Sequence, residues 1–281
     1  MPDELPTLTS TSSDRVRAVR ALHMPSGRRK AGRFLVEGPQ AVRAALDAGV
    51  VVHELFVDDD ARIAFPGILA DVERAGVPVV TAQTRVLAAM GQTATSQGLL
   101  AVCDLLDPGR LSDVLDIPAP VLILDRVADP GNVGTIIRTA EAVGAAGVVL
   151  TPGCADVHGG KVVRATTGSL FRLPVVPDVP LESALDAVRA AGRAVAVATG
   201  DGEESLFSAV DSRMVCPRTC WVIGSEAHGV SDLARERADI TVRIPMAEGV
   251  ESLNAAISVA VLMYVTAHGA RSGAFGPHGF R

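Results

Sequence analysis

Aromatic residues are scarce in this sequence and make up only 3% of its 281 residues. A hydrophobic core must therefore be built mainly from Val, Ala and Leu. With 48% hydrophobic and 21% charged residues, the composition is ordinary for a soluble globular protein. A chain of this length is expected to form about two domains and to bury at least one large core.

Features of exported and membrane proteins are also missing. The N-terminal residues MPDELPTLTSTSSD contain neither the basic region nor the apolar region of a signal peptide, and residues 1–13 are predicted to be disordered. The longest nearly apolar stretch, AAISVAVLMYVTA, is too short and too interrupted to cross a membrane. We therefore expect a cytoplasmic protein with no membrane partner.

The sequence lacks the patterns of three common kinds of site. Its four cysteines do not combine with each other or with histidines into a zinc pattern, so we expect buried or incidental thiols and no metal. The glycines do not form the G-x-G-x-x-G fingerprint after a strand, which argues against a nucleotide-binding dehydrogenase. Nothing near His228 supplies a Ser-His-Asp set.

Charge is unevenly distributed along the chain. The formal net charge of −6 argues against a protein whose whole surface binds nucleic acid. The segment from Arg15 to Arg33 nevertheless contains basic residues and no acidic ones, and such a cluster can neutralise phosphates. The alternative is a solvated helix face or a floppy tail. The basic residues are Arg15, Arg17, Arg20, Arg28, Arg29, Lys30 and Arg33.

Hydrophobic periodicity predicts a small α/β domain at residues 14–106, a proline-rich linker at 107–120 and a larger domain at 121–281. In the first domain we predict strands at 33–38, 51–58, 77–80 and 98–106 and helices at 15–22, 39–48 and 66–75. In the second we predict strands at 121–125, 147–151, 193–198, 219–223 and 240–244 and helices at 133–143, 180–191, 231–237 and 253–267. Strands rich in Val, Ile and Leu that alternate with helices indicate a parallel sheet covered on both faces.

Four unusual loops follow predicted strands of the second domain. They read DRVADPGNVG, TGDGEES, GSEAHGVS and PMAEGVESLN. Because ligands of parallel α/β sheets lie beyond the carboxyl ends of the strands, we expect these loops to form the ligand site.

In the first of these loops, Asn132 can be read as a helix cap. Gly134 lies in the first helical turn, where glycine costs roughly 1 kcal/mol relative to alanine, so it predicts the close approach of a backbone or a ligand. Arg138 lies about two turns into an otherwise apolar helix. Pairing with Glu141 at the surface would also explain Arg138.

The other loops offer similar pairs of interpretations. Glu226 either binds a positive group or a ribose hydroxyl, or is a solvated residue of a turn. Ser252 is a natural N-cap for the last helix, with Leu253 and Asn254 in the first turn, and such a helix start can also hold an anion. Capping alone leaves Asn254 unexplained.

Taken together and in this order, three stretches resemble the three motifs of the SpoU/TrmH family, in the SPOUT superfamily of RNA 2′-O-ribose methyltransferases. The resemblance covers roughly residues 121–267. RFLVEGPQAVRAAL and TSQGLLAV are similar to the substrate-binding domain that precedes many of these catalytic domains. The motif residues are Asn132, Gly134 and Arg138, then Gly224, Ser225, Glu226 and Gly229, then Ile244, Pro245, Met246, Ser252, Leu253 and Asn254.

The resemblance implies S-adenosylmethionine as the cofactor, a mainly parallel α/β fold tied in a deep trefoil knot, and a homodimer whose active site uses both subunits. It assigns cofactor binding to Thr199, Gly200, Gly224, Ile244, Pro245, Met246 and Leu253 by analogy. It assigns the catalytic and RNA-binding positions of the family to Asn132, Arg138, Glu226, Ser252 and Asn254. Arg28, Arg29, Lys30 and Arg33 are the expected RNA contacts of the first domain.

The implied activity is 2′-O-ribose methylation of structured RNA, with ribosomal RNA as the first expectation and transfer RNA as the second. Some members protect the ribosome from antibiotics in this way. A non-catalytic RNA-binding protein of the same fold is the alternative. The reaction needs alignment and removal of a hydroxyl proton but no metal. Because a guanidinium stays protonated, Arg138 is better suited to orienting a phosphate or stabilising a 2′-oxyanion than to acting as the base.

Overall fold

The computed structural model describes residues 7–93, 95–225, 227–250 and 252–269, which form two compact units. The first unit contains the described residues up to Asp107 together with Asp156–Arg172. The second contains Pro108–Ala155 and the described residues from Leu173 onward. None of the described helices is long and apolar enough to cross a membrane.

The first unit is built on a four-stranded sheet of order β1-β4-β2-β3. Strand β4 is antiparallel to both neighbours, and β2 and β3 are parallel. All four strands occur where the sequence predicted them. With elements numbered in chain order, the strands are β1 Arg33–Glu37, β2 Val52–Val57, β3 Val79–Thr81 and β4 Leu99–Asp104. The helices are α1 Asp14–Ala21, α2 Pro25–Ala31, α3 Pro39–Asp47, α4 Asp59–Ala64, α5 Pro66–Arg74, α6 Thr84–Met90 and α9 Gly160–Thr166, followed by a short 3-10 helix at Ser169–Phe171.

The predicted disorder of residues 1–13 is wrong for its described part. The Leu8 backbone N–H donates to the carbonyl of Thr81 at 2.8 Å, and the Leu8 carbonyl accepts from the N–H of Gln83 at 3.0 Å. Leu8 therefore extends the edge of the sheet beside β3 and packs on the core of this unit. In the sequence, only the apolar side chain of Leu8 indicates this pairing, because the surrounding residues are polar and the segment is too short to show a strand period.

Residues 156–172 belong to the first unit, although the predicted domain at 121–281 contains them. Two ion pairs tie them in: Arg28 with Asp156 at 2.5 Å, and Glu37 with Arg164 at 3.1 Å. The His158 ring lies 4.9 Å from the Phe34 ring, and its Nε2 accepts from the N–H of Leu106. Burial lowers the pKa of His158, which keeps this ring nitrogen available as an acceptor.

Arg28 is buried, which overturns its predicted role as an RNA contact. Its side chain is 5% exposed, and its guanidinium donates to the carbonyls of Leu22 and His23 at 2.9 Å as well as to Asp156. The terminal nitrogens that could bind a phosphate are therefore already bonded within the protein. Arg29 and Lys30 are exposed, and Arg33 is partly buried.

The second unit contains a seven-stranded sheet of order β7-β6-β5-β10-β8-β11-β9. Every neighbouring pair is parallel, as the sequence predicted. Its strands are β5 Val121–Asp125, β6 Gly147–Leu150, β7 Val175–Val176, β8 Val195–Ala198, β9 Glu204–Ser205, β10 Cys220–Gly224 and β11 Ile240–Arg243. Its helices are α7 Leu111–Asp116, α8 Pro130–Ala142, α10 Leu181–Ala190, α11 Leu206–Asp211, α12 Asp232–Glu236 and α13 Ala255–Gly269.

Both faces of the central strands are buried. Val121 and Ile123 of β5 pack in one core with residues of α7, α10 and α12. Leu122 and Leu124 alternate with them, point to the opposite face and are also fully buried. This two-sided burial explains why the strands are continuous aliphatic runs.

The proline-rich segment predicted as a linker is part of the second unit. It forms α7, whose Val114 and Leu115 are buried in the core. The Arg193 guanidinium, 3% exposed, lies behind it and donates to the carbonyls of Leu115, Ile117, Ala119 and Arg218. Residues from Pro108 onward are therefore an integral part of the second unit rather than a linker.

Replacing Arg193 by Met should destabilise the second unit by about 3 kcal/mol, because the carbonyls of Leu115, Ile117, Ala119 and Arg218 would all lose a charged donor. Urea unfolding followed by Trp221 fluorescence measures this change. Arg189→Met is the matched control, since Arg189 lies exposed on α10 and should change stability by less than about 0.5 kcal/mol. Equal stability of the two variants would contradict this account of the segment.

Candidate functional site

The four predicted ligand loops leave adjacent strands at one edge of the second sheet. Strands β5, β10, β8 and β11 are consecutive in the sheet and parallel. Asp125, the last residue of β5, is in register with Gly224, the last residue of β10. The loops therefore start side by side, as the sequence predicted.

A cavity of about 430 Å³ lies among three of these loops, those that follow β8, β10 and β11. This volume lies in the range of small-molecule sites. Of the residues expected to bind the cofactor, all except Pro245 line it. The described lining residues are Ala198, Thr199, Gly200, Ile223, Gly224, Ser225, Gly229, Val230, Val242, Ile244, Met246, Ser252, Leu253, Asn254, Ala255 and Ser258.

One wall of the cavity is the turn after β8, which lies directly against β11. The Thr199 N–H donates to the carbonyl of Val242 at 3.0 Å, and the turn closes with the Gly202 N–H on the Thr199 carbonyl. A Cβ at Gly202 would lie 2.5 Å from the carbonyl carbon of Val242, so only glycine fits there. Gly202 was not among the predicted site residues.

Charged side chains fix the outer rim of that turn. Arg235 of α12 forms an ion pair with Asp201 at 3.2 Å and donates to the Thr199 hydroxyl at 2.7 Å. Hydrogen bonds from the Thr199 hydroxyl and then from Arg235 lower the pKa of Asp201. Asp201 therefore stays ionised, and Thr199 is held in one orientation at the cavity mouth.

The loop after β10 folds back on its own strand end. A Cβ at Gly224 would lie 2.0 Å from the backbone of Gly229, so the close approach expected at a glycine is here made by the loop itself. The Gly229 N–H donates to the Ser225 carbonyl at 2.8 Å. Ser231 caps α12, because its hydroxyl accepts from the N–H of Ala234 at 3.4 Å. Glu226, predicted to be catalytic, lies outside the described residues.

The structure reverses two of the predicted helix caps. Asp129, not Asn132, caps α8, because its carboxylate accepts from the Asn132 N–H at 2.9 Å. Asn254, not Ser252, caps α13, because its Oδ1 accepts from the N–H groups of Ala256 and Ile257. Residues 252–254 are not helical, so Ser252 lies before α13 and lines the cavity.

This exchange of caps brings two predicted site residues together. The Asn254 side-chain Nδ2 donates to the Oδ1 of Asn132 at 3.1 Å. The two amides lie at the starts of α8 and α13, which pack against each other, and Gly134 is buried in α8. Asn254 also lines the cavity, so this pair stands at its border.

Arg138 is exposed on α8 and is not among the described lining residues of the cavity. The surface pair that the sequence offered as an alternative does not form, because within the described part of the chain no ion pair joins Arg138 to Glu141. The guanidinium therefore faces solvent from α8, whose first turn contains Asn132.

The cavity fits a nucleoside that carries a short polar chain. Apolar side chains such as Ile244, Met246 and Leu253 can hold a flat base, and glycines expose backbone groups for hydrogen bonds. None of the described lining side chains is charged, so a cation such as a sulfonium meets no repulsion there. No group of three or more metal-ligating side chains occurs among the residues that the structure describes.

Several lining residues were not identified from the sequence. Ile223 and Val242 were assigned only to strands, and Ser258 only to a helix. Residues at the carboxyl ends of predicted parallel strands give the signal that could have found Ile223 and Val242. Ser258 becomes identifiable only once the start of α13 is known, because it lies one turn after Asn254.

Comparison with known proteins identifies the family of both parts of the chain. The SpoU rRNA Methylase family matches residues 119–264, and an MRM3-like substrate binding domain matches residues 13–101. The 23S rRNA (guanosine(2553)-2′-O)-methyltransferase RlmP of Bacillus subtilis is 32% identical over 92% of this chain and 97% of its own. The 23S rRNA (uridine(2479)-2′-O)-methyltransferase of Streptomyces viridochromogenes is 33% identical over 84% of this chain and 83% of its own.

Solved structures agree with these matches. An AdoMet-bound rRNA methyltransferase from Sinorhizobium meliloti has a TM-score of 0.81 at 28% identity and covers 94% of this chain and 97% of its own. The SpoU methyltransferase AviRb of Streptomyces viridochromogenes, in complex with AdoMet, has a TM-score of 0.78 at 29% identity over 92% of this chain and 99% of its own. Since the family match spans residues 119–264 and the Bacillus relative aligns with almost the whole chain, the chain belongs to the SpoU rRNA methylase family.

Proposed function

We propose that this protein methylates the 2′-hydroxyl of one nucleotide in ribosomal RNA. The observation that carries the proposal is that the loops after β8, β10 and β11 share one cavity, with the Asn132–Asn254 pair at its border. The cofactor is S-adenosylmethionine, which supplies an electrophilic methyl group when bound. We also propose a cytoplasmic location, which a ribosomal RNA substrate supports.

The residues of the cavity divide into two roles. Thr199, Gly200, Gly224, Ile244, Met246 and Leu253 hold the cofactor, and Pro245 shapes the loop between them. Ser252, Asn254 and Asn132 orient the ribose and its hydroxyl, since their side chains offer both donors and acceptors. Glu226 remains a proposed member of this set from its motif.

Arg138 acts as a fixed positive charge on the substrate side. Its exposed guanidinium can donate two parallel hydrogen bonds to a phosphate or to the oxygen that gains negative charge as the hydroxyl proton leaves. We assign the proton itself to another acceptor, because a guanidinium is always protonated near neutral pH.

The first unit delivers RNA to the second. Its match to a substrate-binding domain and the exposed side chains of Arg29 and Lys30 support this role, with Arg33 beside them. The segment Asp156–Arg172 belongs to the same unit and completes it.

We further propose the deep trefoil knot and the homodimer of the family. Ile244, Met246 and Leu253, which precede α13, line one cavity with the loops after β8 and β10. This shared cavity supports the proposed knot, and an experimental structure tests it. Phe207 of α11 and Ile257 of α13 are more than half exposed on packed helices, which supports a self-association surface. Sedimentation equilibrium distinguishes dimer from monomer.

Mapping of 2′-O-methylation in ribosomal RNA, with and without the gene, tests the function directly. Reintroducing the wild-type gene should restore methylation of one nucleotide.

Arg138→Ala should cut single-turnover methylation about a hundredfold with little change in cofactor affinity, because the lost contact acts mainly in the transition state. Arg138→Lys keeps the charge but not the planar fork and should recover only a little. Near-normal rates for Arg138→Ala would remove Arg138 from the site.

Leu253→Arg should weaken S-adenosylmethionine binding at least tenfold, because a long charged side chain would enter an uncharged cavity. Isothermal titration calorimetry measures the affinity, and the melting temperature checks that the protein is folded. Val250→Arg is the matched control, since Val250 lies in the same loop, is 49% exposed and does not line the cavity. Unchanged affinity for Leu253→Arg would place the cofactor elsewhere.

Replacing Arg29 and Lys30 together by Ala should reduce the slope of log K against log salt for RNA binding by roughly 1.5. The variant loses two phosphate contacts, so its binding releases fewer counterions. Melting temperature should not change. Arg74→Ala, at another exposed arginine of this unit, should leave the slope unchanged. By contrast, Arg28→Ala should lower the melting temperature, because it removes a buried guanidinium that bonds the carbonyls of Leu22 and His23 and pairs with Asp156. An unchanged slope for the double variant would show that these residues are only solvated.

A further inference from the structure

Arg126 has an unusual backbone conformation at the ligand edge of the second sheet. It directly follows β5 and has a φ of 59°, in the left-handed region that residues other than glycine rarely occupy. Its N–H donates to the hydroxyl of Thr151 at 3.0 Å, and Thr151 is itself buried. Backbone outliers that the surrounding structure holds in place occur most often at functional sites.

The side chain of Arg126 is held at one end and free at the other. Its Nε donates to Asp125 at 3.2 Å, and the second oxygen of that carboxylate accepts from the N–H of Ser231 at 3.1 Å. Asp125 is buried, whereas the Arg126 side chain is about half exposed. Within the described part of the chain, its terminal nitrogens have no partner. The carboxylate therefore fixes the direction in which an unpaired guanidinium fork points.

The position of this fork indicates what it can bind. Asp125 is in register with Gly224, which lines the cofactor cavity, and paired strands lie only about 4.8 Å apart. Asn132, in the first turn of α8, follows Arg126 by six residues at the same edge. Arg126 does not itself line the cavity, so its charge is available beside the cofactor rather than to it.

We propose that Arg126 binds a phosphate of the substrate RNA next to the nucleotide that is methylated, and that Asp125 is the positioning residue that aims it. The inference rests on the proposed function, because it takes RNA as the substrate. A planar fork with two free nitrogens matches the oxygens of a phosphodiester. The ion pair with Asp125 leaves this fork free because it uses only Nε.

The test compares Arg126→Gly with a matched control, Arg213→Gly. Arg213 is also an exposed arginine, has a φ of 61° and lies between α11 and the start of β10, at the opposite end of that strand from the site. Both substitutions remove one charge and relieve the same backbone conformation, but only Arg126→Gly also removes the partner of the buried Asp125 carboxylate. Arg126→Gly should therefore melt at or below the temperature of Arg213→Gly, and circular dichroism checks that both variants are folded under the conditions of the binding measurement. Binding is measured with large-subunit ribosomal RNA transcribed in vitro.

Arg126→Gly should weaken RNA binding about tenfold at low salt and reduce the slope of log K against log salt by roughly 0.7 to 0.9, as expected for one lost phosphate contact. Its calorimetric affinity for S-adenosylmethionine should equal that of the wild type. Arg126→Lys should recover most of the slope, because it keeps the charge. Arg213→Gly should change none of these quantities.

Two results would overturn the inference. RNA affinity unchanged in Arg126→Gly would show that the fork meets no phosphate, and a parallel loss of cofactor affinity would assign Arg126 to the cofactor. Failure of the wild-type protein to methylate ribosomal RNA would instead contradict the proposed function, so the two failures are distinguishable.

The role of Asp125 is tested by coupling. In an Asp125→Asn background that keeps a normal melting temperature, Arg126→Gly should cause a smaller loss of RNA affinity than in the wild type, because the fork is already poorly aimed. A purely structural role for Asp125 predicts the same loss in both backgrounds. If Asp125→Asn does not fold, the comparison of Arg126→Gly with Arg213→Gly still decides the main proposal.

Discussion

Parallel pairing of β5, β10, β8 and β11 is the constraint on which the site depends. It brings the carboxyl ends of four strands to one edge, so loops that are far apart in the sequence begin side by side. The register matters as much as the direction. Because side chains alternate between faces, a slip of one residue would turn the buried Leu122 and Leu124 to the other core and separate Asp125 from Gly224. Two-sided burial therefore holds the loops in register.

Within that frame, helix starts do more than end loops. Asn254 uses its Oδ1 to cap α13 and its Nδ2 to reach Asn132, so one side chain both begins a helix and joins two motifs. This contact is compatible with the cap of α8, because Asp129 accepts from the backbone N–H of Asn132 and not from its side chain. An aspartate at 254 would keep the cap of α13 but lose the donor to Asn132. It would therefore leave the stability of the helix start unchanged while removing the contact that aligns the two motifs.

The long elements and the ligand edge were predictable because aliphatic runs and helical periods are local signals. The four core strands of the site and the three motif loops follow from the sequence. Short helices such as α7 and α9 and the two-residue strands β7 and β9 do not, since they are too short to show a period and depend on tertiary packing. The capping errors have a related cause. Asn132, Ser252 and Asn254 are all good caps, and only the path of the chain decides which one acts as a cap.

The roles of the arginines were the least predictable part, because identical side chains differ only in what surrounds them. Arg28 and Arg193 are buried where carbonyls converge, so their charge holds the fold. Arg29 follows Arg28 directly in α2 and is exposed, since neighbouring helical positions point about 100° apart. Arg126 lies between these cases, with one nitrogen on a buried carboxylate and a fork in solvent. The number of basic residues in a cluster therefore overestimates how many can contact RNA. Those whose guanidinium is buried on the protein's own carbonyls, such as Arg28, do not count, and only the structure identifies them.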